Sequence, residues 1–192
     1  MSPSERAGGF RWVATAVLSV AMSMAPAVRS DEMADHRMEA GAHLFRALLA
    51  ADIDLPKKAL PGNQLLILFY YTGDGRRATD LAKAFVTAGD VRGLAVAAEV
   101  TNDATLAKYG ARVPAAIFIS DTSPRASLQS IVRYGIDHHV IVYSPFEGDV
   151  ENGVLGGLSI EAQVRPLLNR ATLESSHITL KTFFLQVAKV YP

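Results

Sequence analysis

Apolar residues along the chain recur with two periods, one helical and one strand-like. Between Asp31 and about Ala51, Met38, Ala42, Phe45, Leu48 and Leu49 fall at helical spacing. The segment Asp52-Ile53-Asp54-Leu55-Pro56 predicts the end of that helix, because the residue before a proline avoids helical geometry. After a turn at Leu60-Pro61-Gly62-Asn63, the run Leu65 to Tyr71 is apolar without a break. Such a run suits a central strand covered on both faces. Thr72-Gly73-Asp74-Gly75 then leads into a predicted helix, Arg77 to Ala88, with Gly89 as its C-terminal cap. Leu94 to Val100 reads as the next strand, and Thr101-Asn102-Asp103 offers capping side chains to a short helix ending near Tyr109-Gly110.

The alternation continues through a third strand, Ala115 to Ser120, and a helix with Ser123 as N-cap and Pro124 as first residue, ending at Tyr134 before Gly135. Val140 to Tyr143 is a fourth strand. Strand–helix alternation of this kind predicts parallel units with right-handed crossovers. The end of the chain changes character. Val154 to Ile160 and Gln163 to Leu168 stand too close together for a helical crossover and predict an antiparallel hairpin. A short helix near Arg170 to Ser175 follows, and Leu180, Phe183, Phe184, Val187 and Tyr191 predict a last helix over Leu180 to Tyr191. The expected fold is α/β: a single-domain three-layer sandwich whose mostly parallel sheet carries a C-terminal antiparallel hairpin, with helices on both faces.

Residues 1–30 are read separately. Arg6 and Arg11 precede an apolar run from Trp12 to Ala25, and small residues lead to Asp31 and Glu32. This is the layout of a secretory signal peptide. The run is shorter than the roughly 20 residues that span a bilayer. Cleavage is expected after Ala27 or after Ser30, leaving residues 31–192 as the folded domain in the periplasm, with no stable membrane insertion. The chain holds 19 basic and 19 acidic residues; trimming removes Arg6, Arg11, Arg29 and Glu5 and leaves 16 against 18. The absence of a basic excess argues against nucleic acid as a partner.

There are no cysteines, which excludes disulfides, thiol catalysis and thiolate metal sites. His138 and His139 are adjacent, so on a strand they would face opposite ways; His36 and His43 lack a carboxylate motif between them, and His177 is alone. No metal site and no cofactor are expected. Ser175-Ser176-His177 and Asp121-Thr122-Ser123 hold the residue types of a hydrolase without a nucleophile elbow, so no enzyme activity is expected. The loop Thr72 to Arg77 is read as a tight turn with solvated arginines, with anion binding as the alternative. The acidic loop Phe146 to Gly153 is read as solvated.

The stretch Gly153-Val154-Leu155-Gly156-Gly157-Leu158, then Val164-Arg165-Pro166-Leu167-Leu168-Asn169, then Phe184-Leu185-Gln186-Val187-Ala188 resembles the C-terminal signature of the YfiR/HmsC-like family of small periplasmic proteins. The resemblance implies a regulatory role: repression of an inner-membrane signalling protein, a diguanylate cyclase or sensor kinase, through its periplasmic domain. The cysteines that tune redox behaviour in that family are missing here, so redox sensing is not implied. Gly156 and Gly157 are expected to permit close backbone approach or a bulge, Asn169 to cap the following helix, and Pro166 to mark an edge strand. Tyr143, Phe146 and Phe183 are the expected partner-binding residues. A homodimer is compatible with this picture. The alternative is a periplasmic small-solute-binding module with its ligand at the switch point of the sheet.

Overall fold

The computed structural model describes residues 25–192, with side chains from Met33 onward. The expected export signal falls outside this description, apart from helical backbone at residues 25–30. Helix α1 (Ala25–Ala51) leads to strand β1 (Gln64–Tyr70), helix α2 (Arg76–Thr87), β2 (Ala95–Thr101), β3 (Ala116–Ile119), α3 (Arg125–Asp137) and β4 (Ile141–Tyr143). Then come β5 (Gly156–Ile160), β6 (Val164–Asn169), the short helices α4 (Arg170–Ser175) and α5 (Thr182–Val187), and β7 (Lys189–Tyr191). One seven-stranded sheet has the order β2-β1-β3-β4-β5-β6-β7. Every neighbouring pair is parallel except β5 and β6. The expected α/β sandwich is the fold observed.

The continuous apolar run of β1 has a simple cause. Leu65, Ile67 and Phe69 enter a core shared with Phe45, Leu48 and Leu49 of α1, Phe85 of α2 and Phe184 of α5. Leu66, Leu68 and Tyr70 enter a second core with Leu128, Ile131 and Tyr134 of α3. Both faces are covered, so alternate residues have no polar side to meet. Phe45 anchors the first core, with its ring 5.3 Å from Phe118, 5.4 Å from Phe85 and 5.5 Å from Tyr143. Arg46, next to it on α1, donates to the carbonyls of Phe85, Ala88, Gly89 and Asp90 at the end of α2. A cation at a helix C-terminus satisfies carbonyls that no helical amide can reach.

Three local expectations are corrected. Helix α3 starts one residue later than expected: Pro124 is its N-cap, with extended ψ of 141°, and its carbonyl accepts the first helical bond from Leu128. Ser123 instead turns its hydroxyl to the Asp121 carbonyl. The same helix runs through Gly135 rather than stopping before it. A Cβ at Gly135 would lie 2.6 Å from Val142 Cγ2, so glycine serves there for close packing on β4, and His139, at φ 58°, supplies the left-handed residue after the helix. The expected last helix is two elements, since after six helical residues the chain becomes β7 and pairs with Leu167–Asn169 of β6.

Candidate functional site

Strand order reverses between β1 and β3, and the crevice at their carboxyl ends is where an open α/β sheet ordinarily takes a ligand. Here the chain fills it with its own carboxylate. The Asp121 side chain, just past β3, accepts from the Thr72 amide at 3.0 Å, the Gly73 amide at 2.9 Å and the Thr72 hydroxyl at 3.0 Å. The amides that would hold an outside anion are therefore committed to an internal one. Arg76 is bound to Asp74 and Arg77 lies 3.3 Å from Asp35. The Arg76 amide and side chain hold the Asp74 carboxyl below its ordinary range. The turn reading of Thr72 to Arg77 fits this geometry better than the anion-binding one.

The expected partner-binding residues do not form one surface. Tyr143 is only 1% exposed and stacks on Phe118 at 5.6 Å. It belongs to the core, because its side chain points from β4 toward α1. Its hydroxyl is buried without a hydrogen-bond partner, and burial pushes its pKa far above that of a free phenol. Phe146 is half-buried against both cores, and its amide donates to Ser144 Oγ at 3.1 Å. Phe183 alone is a surface residue, 58% exposed.

The glycines and Asn169 are structural. A Cβ on Gly156 would meet Leu48 Cδ2 at 2.6 Å, and one on Gly157 would meet Val150 Cγ2 at 2.6 Å and the Ser144 carbonyl oxygen at 2.7 Å. The β5–β6 register runs without interruption from Gly156↔Leu168 to Ile160↔Val164, so close approach is the reason and no bulge is present. Asn169 Oδ1 accepts from the Thr172 amide at 2.9 Å, while its Nδ2 donates to the Val150 carbonyl at 2.8 Å. In the acidic loop, Asp149 turns inward to accept from Ser144 Oγ at 2.5 Å. Ser176 and His177 form no relay: the Ser176 hydroxyl donates to Leu173, and its carbonyl is bound by His139 Nδ1 at 2.8 Å.

The C-terminal edge of the sheet is open on the surface. Phe183, Val187, Val190 and Tyr191 are all exposed on α5 and β7, and Ile160 and Val164 are exposed at the tip of the hairpin. Strand β7 is the last of the sheet, so its outer backbone groups have no strand beside them. Helical spacing concealed this edge in the sequence; the signal was the β-prone pair Val190-Tyr191 near the end of the chain.

No protein-family model and no curated protein matches the chain. Among solved structures it is similar to the ABC domain in complex with L-Trp from Streptococcus pneumonia, at 15% identity and a TM-score of 0.51, covering 74% of this chain and 61% of that one. It is also similar to a conserved domain protein from Vibrio cholerae, at 13% identity and a TM-score of 0.50, covering 74% of this chain and 59% of that one. The chain thus spans about three fifths of the length of either structure, and what it shares with them is an α/β fold.

Proposed function

We propose that this chain is an exported, non-enzymatic regulatory protein that docks on the periplasmic part of an inner-membrane signalling protein, a diguanylate cyclase or sensor kinase. The observation that carries this is the apolar C-terminal edge, where Phe183 and Val187 project outward beside an unpaired strand. Clustered exposed apolar groups mark interaction surfaces, aromatics dominate interface energetics, and an open edge strand can be extended by a partner's strand. The signature residues fit the same picture, since Gly156, Gly157 and Asn169 build the platform on which that edge rests. The test is capture of the partner from membrane extracts with the wild-type domain and with Phe183→Ser. The variant should lose about 30-fold in affinity with an unchanged melting temperature. Deleting the gene should alter cyclic-di-GMP output. Equal capture by the variant, together with an unchanged signal on deletion, would sink the proposal.

A second reading, a periplasmic solute-binding module, draws support from two observations. One neighbour in fold is a domain in complex with L-Trp. A cavity of about 570 Å³ opens at the amino ends of the strands, away from the filled crevice.

A further inference from the structure

We propose that the edge strand β2 joins two copies of this chain, each β2 running antiparallel to the other about a two-fold axis at Ala98, so that two seven-stranded sheets become one. This edge lies at the opposite end of the sheet from β7, and the assignment does not depend on the docking reading. Strand β2 has only β1 beside it. The Ala95 amide donates to the Asn63 carbonyl at 3.2 Å, and the Thr101 carbonyl accepts from the Tyr71 amide at 3.0 Å. Both ends of the strand thus turn their backbone groups toward β1, and by alternation so do Ala97 and Glu99. The amides and carbonyls of Val96, Ala98 and Val100 face outward, and among the described residues no strand or loop pairs with them.

Open edges are ordinarily protected by lysine, proline, a bulge or brevity. Strand β7 uses two of these, being three residues long with Lys189 in it. Strand β2 uses none: it is seven residues, Ala95-Val96-Ala97-Ala98-Glu99-Val100-Thr101, and its register with β1 is unbroken. This edge is also its own complement. With Ala98 opposite Ala98 of the other copy, Val96 meets Val100, and these outward-facing positions form about six inter-strand bonds. Glu99, the one charged residue of the strand, then meets Ala97 rather than a second carboxylate. Its charge is answered within its own chain, 3.0 Å from Arg112 and 3.2 Å from the Tyr109 hydroxyl. An axis at Glu99 would set two carboxylates face to face, so charge selects the Ala98 register over that one. An unrelated partner strand need not match this symmetry, which is why the occupant is a second copy.

Helix α2 supports the same contact. It packs over both β1 and β2. With strands about 4.8 Å apart, an axis beside β2 sets the two copies of α2 roughly 10 Å apart, a distance at which helices pack. The side of α2 next to the edge offers apolar groups: Ala82 and Val86 line a groove of about 400 Å³ with Ala98 and Val100 of β2. Val86 is 42% exposed and Val100 36%, and the second copy covers both. Lys83 and Asp80, 3.8 Å apart, carry opposite charges, so the two helices meet without net repulsion. The β7 edges stay at the two far ends of the joined sheet.

The test is sedimentation equilibrium of the full chain over a dilution series. A reversible dimer of twice 20.6 kDa is expected. Ala97→Glu sets a carboxylate opposite Glu99 of the other copy and should weaken the dimer about fivefold, while Ala97→Lys should tighten it about fivefold. Ala98→Pro removes the central outward amide without taking a bond from β1, and should weaken the dimer about tenfold or more with an unchanged circular dichroism spectrum. If that variant loses its fold, the opposed responses of the two variants at position 97 still decide. Val190→Pro, on the β7 edge, should leave the dimer unchanged. A chain that sediments as a monomer at every concentration overturns the assignment. So does a dimer indifferent to the charge at position 97, or one that Val190→Pro abolishes.

Discussion

Tyr143 illustrates how one atom decides between surface and core. Its ring stacks on Phe118, yet its hydroxyl is buried without a partner. Such a group costs stability in the folded state, so Tyr143→Phe is expected to raise stability by about 1 kcal/mol. Urea denaturation reads this directly, and a loss of stability would show that the hydroxyl has a bonded role. Asp149 makes a pH-dependent counterpart. Burial raises its pKa, the Ser144 hydroxyl opposes the shift, and Glu151 adds to it. The folded protein therefore holds this proton to higher pH than the unfolded chain. Stability from this group is greatest below the ordinary carboxyl range, near pH 4, and falls as pH rises toward the raised value. Asp149→Asn can still accept from Ser144 and should flatten that fall. Urea midpoints measured from pH 4 to 7 should show the variant gaining on wild type toward neutrality; parallel profiles would contradict the assignment.

At the scale of elements, the helices and central strands could be read from periodicity because their burial is regular. The end of the chain could not. Phe183, Phe184 and Val187 keep a helical rhythm for only six residues, and β7 then forms because β6 has an open side. Pro166 explains where it starts. The Asn169 amide bonds across to Leu155, beside β5, so the ring nitrogen of Pro166, three residues earlier, faces the opposite side. Strand β7 begins its pairing at Leu167, just past the proline that could donate nothing to it. The edge-strand reading of Pro166 thus holds locally, although β6 as a whole has a neighbour on each side. Arg46 joins two other elements. Its guanidinium gathers four carbonyls at the end of α2, so Arg46→Met should cost about 2 kcal/mol, read by chemical denaturation. A cost near zero would mean that solvent replaces those bonds without loss.

For the molecule as a whole, among the described side chains of α1 the first to be buried is Met38, and residues 33–36 are exposed. Trimming after Ala27 or Ser30 should then leave the domain intact, and a chain of residues 31–192 should melt within about 2 °C of the full one. A clearly lower melting temperature would assign the earlier residues a part in the fold. The amino-acid sequence alone was enough for the α/β class, the parallel direction of the first strands, the hairpin and the Asn169 cap, since each depends on residues near one another or on a run buried on both faces. It could not show that Asp121 fills the switch-point loop 49 residues away, that Tyr143 lies inward, or that His139, His177 and Lys58 share a cavity. Those outcomes depend on which segments the sheet brings together, and side-chain chemistry at a distance is set by that closure rather than by local spacing.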